Sequence, residues 1–178
     1  MRWKAKSKRS KADDRSWRNL PGAGRPLRAP IAAPAETVWA HLTDCGKLAA
    51  WYGEDGSIEP REGGAVHMAG GHIRGVVTQY KPNRRLAYTW NVFAPGEQES
   101  PYPESYLTIE LQARGNETLL VLTHLPVLDR FEPQNAMGWH TFLDMLDATI
   151  AGRPVLGRGE YMEKNAALYE VDLANLQR

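Results

Sequence analysis

The chain has 178 residues, of which 42% are apolar, with six Trp, a single Cys and a formal net charge of +1. This length suits one domain that buries roughly 70% of its unfolded surface, and the composition excludes the disordered, collagenous and disulfide-stapled classes. The charge is unevenly spread: residues 1–28 hold ten Lys/Arg against Asp13 and Asp14, a net of +8, whereas residues 29–178 hold twelve against nineteen acidic residues, a net of −7.

The first 24 residues read as a basic, flexible tail. Basic arms can bind nucleic acid, but a run such as Lys4, Lys6, Lys8, Arg9 and Lys11 is better read as a solvated terminus. Gly22 to Pro34 is too rich in Pro and Gly for a helix, although Leu27 to Ile31 fits an edge strand that tolerates Pro30. Pro34 then opens a helix with Glu36 in its first turn and Val38, Trp39 and Leu42 on its apolar side, until Asp44 and Gly46 break it. A short helical turn follows over Lys47 to Tyr52.

Hairpins come next. Ile58 and Glu59 lead through Arg61-Glu62-Gly63-Gly64 into Ala65 to Met68, and Gly70-Gly71 turns the chain into Ile73 to Tyr80. After Pro82-Asn83, Leu86, Tyr88 and Trp90 alternate with Ala87, Thr89 and Asn91, the period of a half-buried strand. Ala94 to Pro103 is a loop long enough to form a rim or lid. Leu107, Ile109 and Leu111 alternate again, and Gly115-Asn116 turns into Thr118 to Leu125. A long helix spans Pro133 to Ala151. Its residues Trp139, Phe142, Leu143, Leu146 and Ile150 fall in an arc about 100° wide, with His140, Asp144 and Asp147 on another side. Gly138 beside Trp139 allows a close approach of backbone or ligand. Beyond Pro154, Met162, Ala166, Tyr169, Leu173 and Leu176 recur at helical spacing, giving a second amphipathic helix. It would pack on the domain or on a partner subunit of a homodimer.

The longest strongly apolar run, Leu119 to Leu122, is far short of the roughly 18 residues of a membrane span. No apolar signal region follows the basic start, and single Cys45 suits a reducing compartment. The expectation is a cytoplasmic protein.

Several motifs in order resemble the START-like (SRPBCC) superfamily. They are Ala33-Pro34-Ala35-Glu36-Thr37-Val38-Trp39, Leu42-Thr43-Asp44, Trp51-Tyr52-Gly53, Glu62-Gly63-Gly64, Gly75-Val76-Val77, Arg85 to Trp90, Thr118 to His124 and Gly138-Trp139. The branch they look most like is the activator of Hsp90 ATPase homologue 1-like family. The resemblance covers residues 26 to 152. It implies an α+β helix-grip fold, START/Bet v 1-like, in which a curved antiparallel sheet wraps a long C-terminal helix around a deep, mainly apolar cavity. Members bind lipids, polyketides, hormones or other hydrophobic molecules, and a minority are enzymes. The domain organisation expected is a tail over 1–24, a START-like ligand-binding domain over 25–153 and a C-terminal amphipathic helix over 154–178.

On that frame the concave side of the sheet should carry Tyr88, Trp90, Leu107, Ile109, Leu122 and His124, facing Trp139 and Phe142, with Trp51 as an aromatic wall and His67 as a further ligand-binding residue. Such a lining suits a small hydrophobic molecule, aromatic or acyl. The competing reading is that these residues simply fill a core, which fits the aliphatic ones well. His67 and His72 flank the Gly-Gly turn, but no His-x-x-x-His helix or second Cys completes a metal set. Cys45 lacks local positive charge and reads as an ordinary buried thiol. No nucleophile elbow, phosphate loop or cofactor motif occurs. Two alternatives remain: a cyclase- or hydrolase-type enzyme in which His124, helped by Tyr88 or His67, carries protons, and an Hsp90-regulator-like interaction module.

Overall fold

A computed structural model describes residues 25–52 and 56–176. The tail over 1–24 and Gly53 of the aromatic motif lie outside the described residues. Strands β1 (Leu27–Ile31), β2 (Ser57–Ile58), β3 (Ala65–Met68), β4 (Ile73–Lys81), β5 (Arg85–Val92), β6 (Ser105–Arg114) and β7 (Glu117–Leu125) form one antiparallel sheet in the order β1-β7-β6-β5-β4-β3-β2. Helices α1 (Ala35–Thr43) and α2 (Cys45–Tyr52) follow β1, and α3 (Glu132–Ile150) lies on the concave face. This is the expected helix-grip fold.

Alternation sets which side each strand buries. In β6 the inward residues are Ser105, Leu107, Ile109 and Leu111, and in β1 they are Leu27, Ala29 and Ile31. Pro30 is exposed on β1, an edge strand, where its missing N–H leaves no ladder bond unmade. Thr118 Oγ1–H donates to the Ala33 carbonyl at 2.8 Å and ties β7 to the start of α1. One close approach demands glycine: a Cβ on Gly75 would lie 1.8 Å from the Thr89 carbonyl oxygen on β5.

Several expectations need correcting. Gly46 does not end α1. Asp44 does so alone, with extended backbone, and its carboxylate accepts from the Lys47 N–H at 3.1 Å, so Gly46 sits inside α2. Cys45 opens α2 and is exposed, because the helix turns Leu48, Trp51 and Tyr52 inward instead. A Cβ on Gly138 would meet nothing within 4 Å, so that glycine serves no close approach.

The last amphipathic stretch is not one helix through Leu176. Helix α4 covers Arg158–Ala166, Glu170 then adopts a positive φ of 54°, and a short 3-10 turn covers Leu173–Asn175. Its apolar residues still pack: Ala166 and Tyr169 form a small second core with Met137 of α3. This covers the side of α3 that the sequence leaves polar, so His140 and Asp147 are buried. Asp144 accepts from Lys164 Nζ and from Asn165 Nδ2, and Tyr169 Oη lies 3.1 Å from His140 Nδ1. No helix among the described residues is long and apolar enough to cross a membrane.

Candidate functional site

Among the described residues, a void of about 20 Å³ lies between α3 and the sheet, bordered by Trp51, Tyr52, Tyr88, Ile109, Leu122 and Trp139. Leu107 is fully buried and is not among the residues that border this void. Phe142 does not line the void either: its ring stacks on Tyr52 with centroids 4.4 Å apart, and the Arg158 guanidinium sits 5.1 Å above it. His67 lies on the exposed side of β3, between inward Val66 and Met68. Among the described residues, then, Trp51, Tyr88, Ile109, Leu122 and Trp139 pack around this small void, Trp90 and His124 line a different opening, and His67 faces outward.

That opening is a cleft of about 590 Å³ at the N-terminal end of α3, walled by Trp90, Val92, Tyr102, Leu128 and Phe131 and floored by Ser105, His124 and Asn135. Its position follows from register. Ser105 pairs with Trp90, and His124 pairs with Leu107, so the inward rows that are apolar in mid-sheet end in a serine and a histidine. The loop after β5 supplies Tyr102, whose ring meets Phe131 edge-on at 5.5 Å. Exposed His72 stands at the rim. None of the lining residues is a Lys, Arg, Asp or Glu.

The floor is a hydrogen-bonded set around His124. Trp139 Nε1–H donates to Nδ1 at 3.0 Å, Ser105 Oγ lies 2.9 Å from Nε2, and Ser105 Oγ–H donates to the Trp90 carbonyl at 2.9 Å. An indole N–H can only donate, so Nδ1 accepts and the ring proton sits on Nε2, where it is taken by Ser105 Oγ. The opposite tautomer would orphan the Trp139 N–H and force Ser105 to give up Trp90. Asn135 Oδ1 lies 2.8 Å from the same Nδ1. Asn135 and Trp139 are four residues apart on one face of α3, which is why both reach this nitrogen. Burial pushes the His124 pKa down from 6.5 to about 4, with the Asn135 contact acting in the opposite direction. His124 is therefore neutral at pH 7, with both nitrogens engaged. Burial, and then Tyr52, raise the Tyr88 phenol well above its ordinary value, so it too stays neutral.

The family model for activator of Hsp90 ATPase homolog 1-like proteins matches residues 32–151. The chain belongs to this family. The family's matched segment contains α1 through α3 and therefore the whole floor of the cleft. Among solved structures, CalU16 from Micromonospora echinospora is 25% identical with a TM-score of 0.67 over 82% of this chain and 84% of that one. The protein encoded by BPP1335 from Bordetella parapertussis is 24% identical with a TM-score of 0.65 over 90% of each chain. An HSP90 activator from Plasmodium falciparum is 20% identical with a TM-score of 0.60, over 75% of this chain and 99% of that one. No curated protein matches the sequence.

Sequence reasoning missed Ser105, Asn135, Tyr102 and Phe131. The first two left a signal: Ser105 is the next inward position before Leu107 and Ile109, and Asn135 is one turn before Trp139. Among the described residues no group of three His, Cys, Asp or Glu side chains is placed to hold a metal.

Proposed function

We propose that the protein binds a small hydrophobic molecule, aromatic or acyl, in the cleft at the N-terminal end of α3. The observation that carries this reading is the cleft itself: about 590 Å³, walled by aromatic and aliphatic side chains, with a few oriented polar groups at its base, the usual chemistry of a small-molecule pocket. Family membership supports it, since helix-grip relatives hold hydrophobic ligands. The ligand enters at the end of the grip rather than running along α3, because bulky Trp51, Tyr88 and Trp139 fill that interior.

Native mass spectrometry of freshly purified protein tests the reading, paired with displacement of a fluorescent naphthalene probe. Exposed Ala94 lies on the cleft wall, so Ala94→Trp should weaken probe binding tenfold or more and leave the melting temperature nearly unchanged. Absence of any bound small molecule, together with probe binding indifferent to Ala94→Trp, would count against the site. The proton-carrier reading of His124 gains no support from a neutral ring whose two nitrogens are already bonded, and the chaperone-regulator reading rests on the family's description alone.

A further inference from the structure

Two indole N–H groups beside α3 are taken up within the protein: Trp51 Nε1–H donates to the His41 carbonyl at 2.8 Å, and Trp139 Nε1–H donates to His124 Nδ1 at 3.0 Å. Trp90 differs. Its half-buried ring packs against Tyr88, His124 and Trp139, with centroids 6.3, 5.4 and 5.2 Å away. Among the described residues its indole N–H has no hydrogen-bond partner, and it is not sealed from solvent. Ser105, the cross-strand partner of Trp90, and Val92, the next residue on the same side of β5, both line the cleft with it, so the cleft is the opening through which solvent reaches this N–H. An indole nitrogen is a donor only. A ligand lying against this wall displaces water from the N–H, and a donor left unsatisfied in an apolar contact costs more than a satisfied one gains. The lining holds no Lys or Arg to pair with an anion and no carboxylate to pair with a cation, and burying an unpaired charge is costly.

We infer, granted the binding reading above, that the cleft selects an uncharged ligand carrying a hydrogen-bond acceptor, a carbonyl in the first instance, which accepts from Trp90 Nε1–H while the apolar body of the molecule lies against Tyr102, Leu128 and Phe131. Trp90 is then a specificity residue as well as a wall. A neutral aryl ketone or an ester meets both demands, whereas a free acid brings a charge with no partner and a hydrocarbon leaves the donor bare.

Three naphthalenes of nearly equal size test this on the full-length protein: acetylnaphthalene, isopropenylnaphthalene, in which a methylene replaces the carbonyl oxygen, and naphthoate. Acetylnaphthalene should bind roughly tenfold more tightly than isopropenylnaphthalene, the upper range of one net neutral hydrogen bond, with naphthoate weaker than the ketone. Trp90→Phe keeps an aromatic wall without the donor and should erase the difference between ketone and alkene. Equal binding of those two, tightest binding of naphthoate, or a preference that survives Trp90→Phe would each overturn the inference while leaving a hydrophobic site in place. Failure of all three to bind would remove the hydrophobic-ligand reading and this inference with it. Should the Phe variant fold poorly, nitrogen NMR of the unaltered protein still decides. The Trp90 indole proton should exchange with water faster than those of Trp51 and Trp139, and it should shift downfield with acetylnaphthalene and not with isopropenylnaphthalene. Exchange as slow as that of Trp51, or the same shift with both probes, overturns the assignment.

Discussion

At Trp139 a single indole N–H fixes the tautomer of His124, and through it the orientation of the Ser105 hydroxyl. Replacing it by Phe keeps a ring of similar shape and removes the donor. Trp139→Phe should lower stability by about 1 kcal/mol from the lost hydrogen bond, measured by urea unfolding, and should let the His124 pKa rise from about 4. The sign of the pH dependence follows from the same shift. Between pH 6.5 and about 4 the unfolded chain takes up a proton on this histidine that the folded chain refuses, so stability falls on acidification through that window and levels off below it. The loss is on the order of 3 kcal/mol. Burial lowers the His140 pKa as well, acting in the same direction. Unfolding at pH 7 and pH 4.5 should therefore show a shallower loss in His124→Gln than in the parent; an unchanged loss would assign the effect to His140. At this scale the meeting of Trp90, His124 and Trp139 is legible from alternation and helix spacing. Ser105 and Asn135 are not singled out, because a small polar residue becomes significant only when another chain segment places a partner beside it.

Among the elements, α3 is the one most fully legible, since its period and its flanking Pro and Gly locate both ends within a residue or two. What its period cannot reveal is the fate of the second face. His140, Asp144 and Asp147 look solvated on a helical projection, yet α4 and Tyr169 reach the first two across some 20 to 30 residues of sequence, and Arg153 pairs with the third. Tyr169→Phe preserves that packing and removes only the hydroxyl near His140, so it should cost about 1 kcal/mol in chemical unfolding. Gly138 offers the opposite case. It occupies the middle of α3, and a methyl group there would touch nothing. Gly138→Ala should stabilise the protein by about 0.5–1 kcal/mol through the lower conformational freedom of the unfolded chain, with probe binding unchanged; destabilisation would reveal a constraint on the backbone at that point.

Over the whole molecule, the strand meander and the grip are legible because the strands from β2 to β7 are separated by glycine- or proline-marked turns, whereas the pairing of β1 with β7 is not. The position of the cleft is not. It depends on two aperiodic segments, Ala94 to Pro103 and Pro126 to Phe131, whose course no alternation describes, and on how completely the large rings of Trp51, Tyr52, Tyr88 and Trp139 consume the interior. A ligand at one hundred times its dissociation constant should raise stability by about 2.7 kcal/mol, seen as a shift in thermal unfolding that Ala94→Trp abolishes. The small void beside Trp139 also bears on compression. Hydrostatic pressure unfolds proteins in proportion to the empty volume that unfolding eliminates, and solvent already reaches the cleft, so among the described residues this region contributes about 20 Å³. The protein should therefore withstand compression better than a helix-grip protein with a sealed, ligand-sized chamber, and xenon, which settles in dry cavities of about 150 Å³, should find no lodging between α3 and the sheet.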